Sequence, residues 1–423
     1  MTPMQEFAYV ANALTCDTVP LMEVAERFGT PTYVYSASGI RKRCREVVGA
    51  FGKGAHLVCY AVKANANREI LRLIAREGLG EDVGSRGELA LALEAGFPPH
   101  TITFSGVGKR DDEIAGGLEA GVRAFNVESA EEIDVLNDIA GRMGRRARIL
   151  LRVNLDMDAG THKYISTSLR QNKFGVPWQR AFAILDRAQK LPSIDVRGIH
   201  SHLGSQITST EVFLRAAHRM VELTQELRRQ GLAMPDLDFG GGFGIQYRGV
   251  LRHPALPEEE PEVGGLSTVA MLDAVLPVLE RAGCSLAIQP GRSIVAQAGA
   301  LLVRVLYRKV TEEKIFIVVD GGMNDLLRPS LYGAHHQIVP VALASRLHET
   351  VDVVGPVCES GDFFAQDRLL PRVGRGDFLA IMCAGAYGFV LSSNYNARPR
   401  VAEALVEEGS LRLIRERQRL EDL

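Results

Sequence analysis

Three sets of residues in this 423-residue chain could do chemistry where short apolar runs end. The first is Lys63, which closes the run in "YAVKANAN". A lysine desolvated at such a place has a lowered pKa and can form a Schiff base, although a solvated lysine at a strand end is the plainer reading of position alone. The second set is two glycine turns: Gly240, Gly241, Gly242 and Gly244 in "DFGGGFG", and Gly291 with Arg292 in "IQPGRS". Glycine has no Cβ, so backbone N–H groups there can approach phosphate oxygens closely. An aldehyde cofactor bearing a phosphate suits a lysine facing a phosphate corner, and pyridoxal phosphate (PLP) is such a cofactor. The third set is His200 and His202 in "HSHLGS". An HxH pair could bind a metal, but no matched His and Asp ligands stand at the other run ends, so no metal is expected. Otherwise His200 reads as a flat ring stacked on the cofactor, and His202 as a hydrogen-bonded core histidine.

These residues need elements that bring them together. From about His56 short apolar runs alternate with longer segments of helical spacing: "HLVCYAV", "GEDV", "TITFS", "VRAFNV", "ARILLRV", "DVRGIHSH", "DLDFG" and "SLAIQ". In "REILRLIAREG" Ile70, Leu73 and Ile74 share a face, and in "EVFLRAAHRMVELTQELRRQG" Phe213, Met220, Leu223 and Leu227 do so. Eight such units in roughly 240 residues predict a (β/α)8 TIM barrel. Barrel sites lie at the C-terminal ends of the strands, where Lys63, the histidines and both glycine turns fall. The loops after the seventh and eighth strands are the usual phosphate corner.

After about Ala298 the texture changes. "ALLVRVLY", "KIFIVVD", "TVDVVG", "FLAIMC" and "VAEALV" follow one another with little helix, which predicts a C-terminal antiparallel β domain. The expected α/β organisation is a segment over 1–37 that joins the β domain, a barrel over 38–297 and the β domain over 298–423. The Pro- and Glu-rich stretch Val250 to Gly265 reads as a solvated loop inserted in the barrel.

Composition narrows the classes. Apolar residues at 46% and charged residues at 24% are normal for a globular protein, and a formal net charge of −2 offers no basic field for nucleic acid or an anionic membrane. No apolar run approaches the ~20 residues of a membrane span. The first residues lack the pattern of a signal peptide. Six scattered cysteines read as reduced thiols, so a cytoplasmic protein is expected.

"YAVKANAN", "FSGVGKRDDEI", "FNVESAEEI", "NKFG", "HSHLGSQ", "DFGGGFGIQY", "PGRSIVA", "RPSLYGA", "CESGD" and "GAYGFVLSSNYNARPR" together resemble the diaminopimelate decarboxylases. These are fold-type III PLP enzymes that make L-lysine from meso-diaminopimelate, the last step of lysine biosynthesis. The resemblance implies that Lys63 carries the cofactor and that His200 stacks on its ring. It gives the phosphate to Ser205, Gly240, Gly241, Gly242 and the backbone of Gly291 and Arg292. Arg292, Arg328 and Tyr332 would grip the carboxylate at the far end of the substrate, and Glu359 its ammonium. Cys358 would be the proton donor, a task open to a thiol of pKa near ~8.5 while it is protonated. Tyr387 would touch both cofactor and substrate. The family is a homodimer in which Cys358 and Glu359 complete the partner's site, and its β domain uses both chain ends, so "PTYVYS" (Pro31 to Ser36) is expected to join the C-terminal strands.

The main departure is Gln289. The family usually has glutamate there, accepting a hydrogen bond from the protonated pyridine nitrogen, and a neutral amide should leave the ring a weaker electron sink. Smaller departures are Gly84, Arg86 and Ser168, Arg86 being either a phosphate contact or a surface residue. The alternatives are an ornithine or arginine decarboxylase, a racemase, or a weakly active or non-catalytic PLP-binding homologue. Two arginines, a tyrosine and a glutamate describe a zwitterionic amino-acid head better than the bare ammonium of ornithine, so Arg328 is the residue that discriminates between substrates.

Overall fold

The computed structural model describes residues 6–51, 56–157, 172–260, 267–343 and 347–423, and the chain divides into two compact units. One comprises Arg43–Ile245 and Gly264–Ser293, the other Met1–Lys42, Gln246–Val263 and Ile294–Leu423. Ser168 lies outside the described residues.

In the first unit each apolar run becomes a strand: β1 Leu57–Ala61, β2 Gly80–Val83, β3 Ile102–Phe104, β4 Ala124–Val127, β5 Ala147–Asn154, β6 Ile194–His200, β7 Asp236–Asp238 and β8 Ser285–Ile288. All pair in parallel with their neighbours in chain order, and β8 pairs with β1, which closes an eight-stranded barrel. Helices between the strands bury the expected faces, among them Ile70, Leu73 and Ile74 on Arg68–Arg76, and Phe213, Met220, Leu223 and Leu227 on Thr210–Arg229. Among the described residues four helices start on polar caps: Asn67, Ser85, Ser129 and Ser267 accept hydrogen bonds from the N–H groups of Glu69, Glu88, Glu132 and Ala270. Each such cap is worth about 1 kcal/mol and fixes where a strand-to-helix loop ends.

The least strand-like run, "GEDV", is nonetheless β2, with all four residues buried. Alternation sends Glu81 and Asp82 to opposite faces. Burial pushes the Glu81 carboxyl up to about 9, with Glu88 and Asp82 adding to the effect, so at neutral pH it is held without charge.

The second unit is built on β9, Gly299–Val310, which pairs antiparallel with Ile315–Val319, Phe378–Ile381 and Thr32–Ser36. The N-terminal strand thus lies among the C-terminal ones, and Ala402–Glu407 runs parallel on its other side. A second parallel pair joins Ile315–Val319 to His348–Val354, so the sheet is antiparallel-rich, not wholly antiparallel. Phe363–Pro371 is a strand whose sequence hides it: Gln366, Asp367 and Arg368 interrupt its apolar residues, and Asp367 has a positive φ of 47° where the ladder is irregular.

The acidic stretch is more than a solvated loop. Glu259 lies 3.2 Å from His335 Nε2 and accepts from Arg368 at 3.3 Å, and the backbone N–H and O of Leu251 bond the side chain of Gln337. Among the described residues no helix is long and apolar enough to cross a membrane.

Candidate active site

Lys63 stands in a single 3-10 turn, Val62–Ala64, directly after β1. The residues after it lock that turn. Asn65 N–H donates to Val62 O, Tyr60 OH donates to Asn65 O, and Asn65 Oδ1 accepts from Asn67 N–H. "KANAN" is therefore a rigid connection from strand to capped helix. The lysine side chain is 52% exposed, with Nζ 3.9 Å from Asp82 Oδ2, so the desolvated lysine considered from sequence is not what is found. The lysine in "SGVGK" is different in kind: Lys109 Nζ is buried and donates to Gly106 O, Asn126 O and Glu132 Oε1 at 2.6–2.8 Å. Its three donors are consumed, so of these two strand-end lysines Lys63 is the one with the accessible amine.

Behind Lys63 the strand ends carry a buried polar network. Gln289, just past β8, donates from Nε2 to Asp82 Oδ1 at 3.2 Å and to Asp238 Oδ2 at 2.8 Å. Asp238 also accepts from Gly240 N–H at 2.8 Å and from Asn126 Nδ2 at 3.4 Å, and its Oδ1 lies 3.3 Å from His200 Nδ1. Asp82 accepts from Ser105 and Thr103. Burial raises the Asp82 carboxyl, with Lys63 and Ser105 pulling it partly back. Burial acts on Asp238 in the same sense, but the His200 ring, the Gly240 N–H and Asn126 together hold it below the ordinary carboxylate value. His202 has another role: burial, with the nearby positive charge of Lys63, depresses its pKa well below normal, and its Nδ1 accepts from Gly241 N–H at 3.2 Å. The ring is thus hydrogen-bonded as expected, on a residue that is half-buried. Among the described residues no group of three or more His, Cys, Asp or Glu side chains is arranged to hold a metal ion.

The glycine turns are dictated first by packing. A Cβ on Gly241 would stand 2.1 Å from Gln289 O, and one on Gly240, whose φ is +74°, would stand 2.2 Å from Ser201 O. Gln289 N–H donates to Gly240 O and Ala61 N–H to Pro290 O, so the ends of β7, β8 and β1 are tied together through backbone. The N–H groups of Gly242 and Gly291 donate to no described residue, and the buried Ser293 Oγ has no partner among them. Arg292 donates to Ser205 Oγ at 2.7 Å. Unclaimed donors at the ends of β7 and β8, an accessible lysine amine and a buried imidazole fit a phosphorylated pyridine aldehyde. Arg86 is a surface residue, paired with Asp112 at 3.1 Å.

In the second unit Arg328 opens the short helix Arg328–Tyr332 and is buried. Its guanidinium lies 2.7 Å from His336 Nε2 and 4.6 Å from the centre of the Tyr247 ring. His336 Nδ1 is 2.7 Å from Met382 O, a carbonyl that can only accept. The proton is therefore on Nδ1, and Nε2 receives the arginine. Tyr332 is half-buried, and Tyr387 is half-buried with a positive φ of 55°. Cys358 and Glu359 are exposed. Cys358 N–H donates to Asn396 Oδ1 at 2.8 Å, while Glu359 Oε1 accepts from Gly361 N–H at 3.3 Å.

The sequence had not singled out Asp82, Asp238, Asn126, His336 or Tyr247. A signal existed for the first two, since each is an acidic residue inside a strand of otherwise buried character. His336 carried none, because its role depends on the tautomer that Met382 O imposes.

Residues 37–296 match the family of pyridoxal-dependent decarboxylases through its pyridoxal binding domain. The chain is 45% identical to a diaminopimelate decarboxylase of Pseudomonas aeruginosa, over 99% of this chain and 98% of that one. It is 44% identical to one of Aquifex aeolicus, over 97% and 94% respectively. A crystal structure of diaminopimelate decarboxylase from M. jannaschii in complex with L-lysine superposes with a TM-score of 0.90, at 35% identity and 99% and 97% coverage.

Proposed function

We propose a mechanism for this chain from the premise that it belongs to the diaminopimelate decarboxylases, within the pyridoxal-dependent decarboxylase family. The reaction removes carbon dioxide from meso-2,6-diaminopimelate and leaves L-lysine. The observation that carries the reading is Lys63, the amine left available at the barrel mouth, on the unit whose two glycine turns hold unclaimed N–H groups.

The cofactor proposed is pyridoxal 5'-phosphate, which supplies an electron sink for the pair left on Cα when the carboxylate departs. Lys63 would hold it covalently. Gly240, Gly241, Gly242, Gly291, Arg292 and Ser205 would hold its phosphate. His200, fixed beside Asp238, would lie against its ring, and Gln289 would meet its ring nitrogen. Of the three successive glycines, Gly242 has the N–H without a described partner, while Gly240 and Gly241 donate to Asp238 and His202, so Gly242 would carry the closest phosphate contact. Arg292, Arg328, Tyr332, Glu359 and Tyr387 would bind substrate, with Arg328 held by His336 so that its guanidinium keeps donors for a carboxylate.

Cys358 would deliver the proton that Cα needs, and its thiolate would then be reprotonated from water. An exposed Cys358-Glu359 pair is what a residue completing another copy's site looks like in a single chain. A homodimer with shared sites, in the reducing cytoplasm that suits six free thiols, is therefore part of the reading.

Purified protein supplied with PLP should show a visible absorbance band at one cofactor per chain, and Lys63→Ala should lose it. A band that survives Lys63→Ala would reject Lys63 as the attachment point. The residues argue against a purely binding homologue, since the amine and the thiol are both present and accessible.

A further inference from the structure

The amide at 289 has two ends, and the structure treats them differently. Nε2 spends both of its hydrogens on carboxylates, Asp82 from β2 and Asp238 from β7. Carboxylates accept and do not donate, so the amide cannot turn over without placing its oxygen against both. Oε1 accepts from no described residue and is not among the sealed-off buried polar atoms. The clamp is itself braced, Asp82 by Ser105 and Thr103, and Asp238 by Gly240 N–H and Asn126. The other charged or titratable groups facing it are Lys63 and His200, with Glu88 close to Asp82 and the buried Cys59 thiol close to both carboxylates.

We propose that Asp82 and Asp238 are positioning residues that hold the Gln289 amide oxygen-outward, so that its oxygen accepts a hydrogen bond from the protonated ring nitrogen of the cofactor while Asp238 behind it supplies the compensating negative charge. This rests on the reading above that Gln289 meets the ring nitrogen. An amide polarised from its N–H side by an anion is a stronger acceptor at its oxygen, so the carboxylate's work is divided between two residues. Asp238 fits the charged role because its neighbours keep it ionised. A full charge one residue removed, at an effective dielectric of about 20, shifts a pKa by roughly one to two units.

The test is a pH titration of holoenzyme carrying cofactor labelled with nitrogen-15 in the ring, followed by NMR, which reads protonation directly and needs no turnover. The wild type should hold the proton at neutral pH. Gln289→Leu should lower the midpoint, and Asp238→Asn should lower it by about one to two units with the glutamine intact. Gln289→Glu should raise it. A midpoint unmoved in both Gln289→Leu and Gln289→Glu would show that Gln289 does not meet the nitrogen, which sinks the underlying reading. A midpoint moved by Gln289→Leu but not by Asp238→Asn would keep that reading and overturn the clamp. Should Asp238→Asn fail to fold or bind cofactor, Asp82→Leu decides, because it takes one acceptor from Nε2 while Asp238 keeps His200 and Gly240: a lowered midpoint supports the clamp and an unchanged one overturns it.

Discussion

The groups proposed to react and the groups that aim them differ in how openly the sequence displays them. Lys63 draws notice only beside the glycine turns, whose type and place are legible at two strand ends, and Cys358 was reached through the family resemblance. Asp82 and Asp238 become meaningful only once barrel closure brings β2 and β7 to the two sides of Gln289. The same holds for His336, whose neutral tautomer receives Arg328 because Met382 O takes its other proton. Replacing it by phenylalanine would leave a buried guanidinium short of one acceptor, a loss of about 1–3 kcal/mol. For His336→Phe the KM for diaminopimelate should rise by roughly tenfold or more with kcat changed less, whereas an equal fall in kcat and kcat/KM would place Arg328 in the chemical step. Cys358→Ala should do the opposite, with kcat lower by about 10²–10⁴ and KM nearly unchanged, as expected for a missing general acid.

At the scale of elements, the strand order and helix faces of the barrel were legible because apolar periodicity and polar caps are local signals. β2 was the faintest, since half of it is acidic. Its Glu81 carboxyl is raised to about 9 from the 4.5 of an unstructured chain, so the unfolded state releases the proton first. Stability from this group is therefore complete below about pH 4.5 and declines as pH rises toward about 9. Urea unfolding of Glu81→Gln and wild type should give midpoints that converge near pH 5 and diverge in favour of the variant by pH 9. Parallel curves would show that Glu81 is ionised in the folded protein. The β9 sheet was read less completely, because Phe363–Pro371 interrupts its own alternation; the pairing of Thr32–Ser36 with Gly299–Val310, more than 260 positions away, leaves no local trace and was expected from the family resemblance alone. Position 241 belongs to this scale too: with Gln289 O only 2.1 Å from a would-be Cβ, Gly241→Ala should cost the barrel both stability and cofactor, seen as a lower Tm and a weaker visible band.

For the whole molecule, family membership and the barrel settle the kind of chemistry, while the assignment of Cys358 and Glu359 to a second copy is a claim about assembly. Refolding Lys63→Ala and Cys358→Ala together should restore activity that neither has alone. Random pairing puts about a quarter of the sites in intact form, and failure to complement in a demonstrated mixed dimer would mean that each chain completes its own site. Substrate and reaction are tested together by measuring carbon dioxide and lysine released from meso-diaminopimelate, with ornithine and arginine in parallel reactions, by PLP-loaded protein. Equal amounts of carbon dioxide and lysine are expected from diaminopimelate, with little release from the other two. Turnover of ornithine or arginine that outpaces diaminopimelate, or no release from any of the three by protein with its full complement of cofactor, would contradict that expectation.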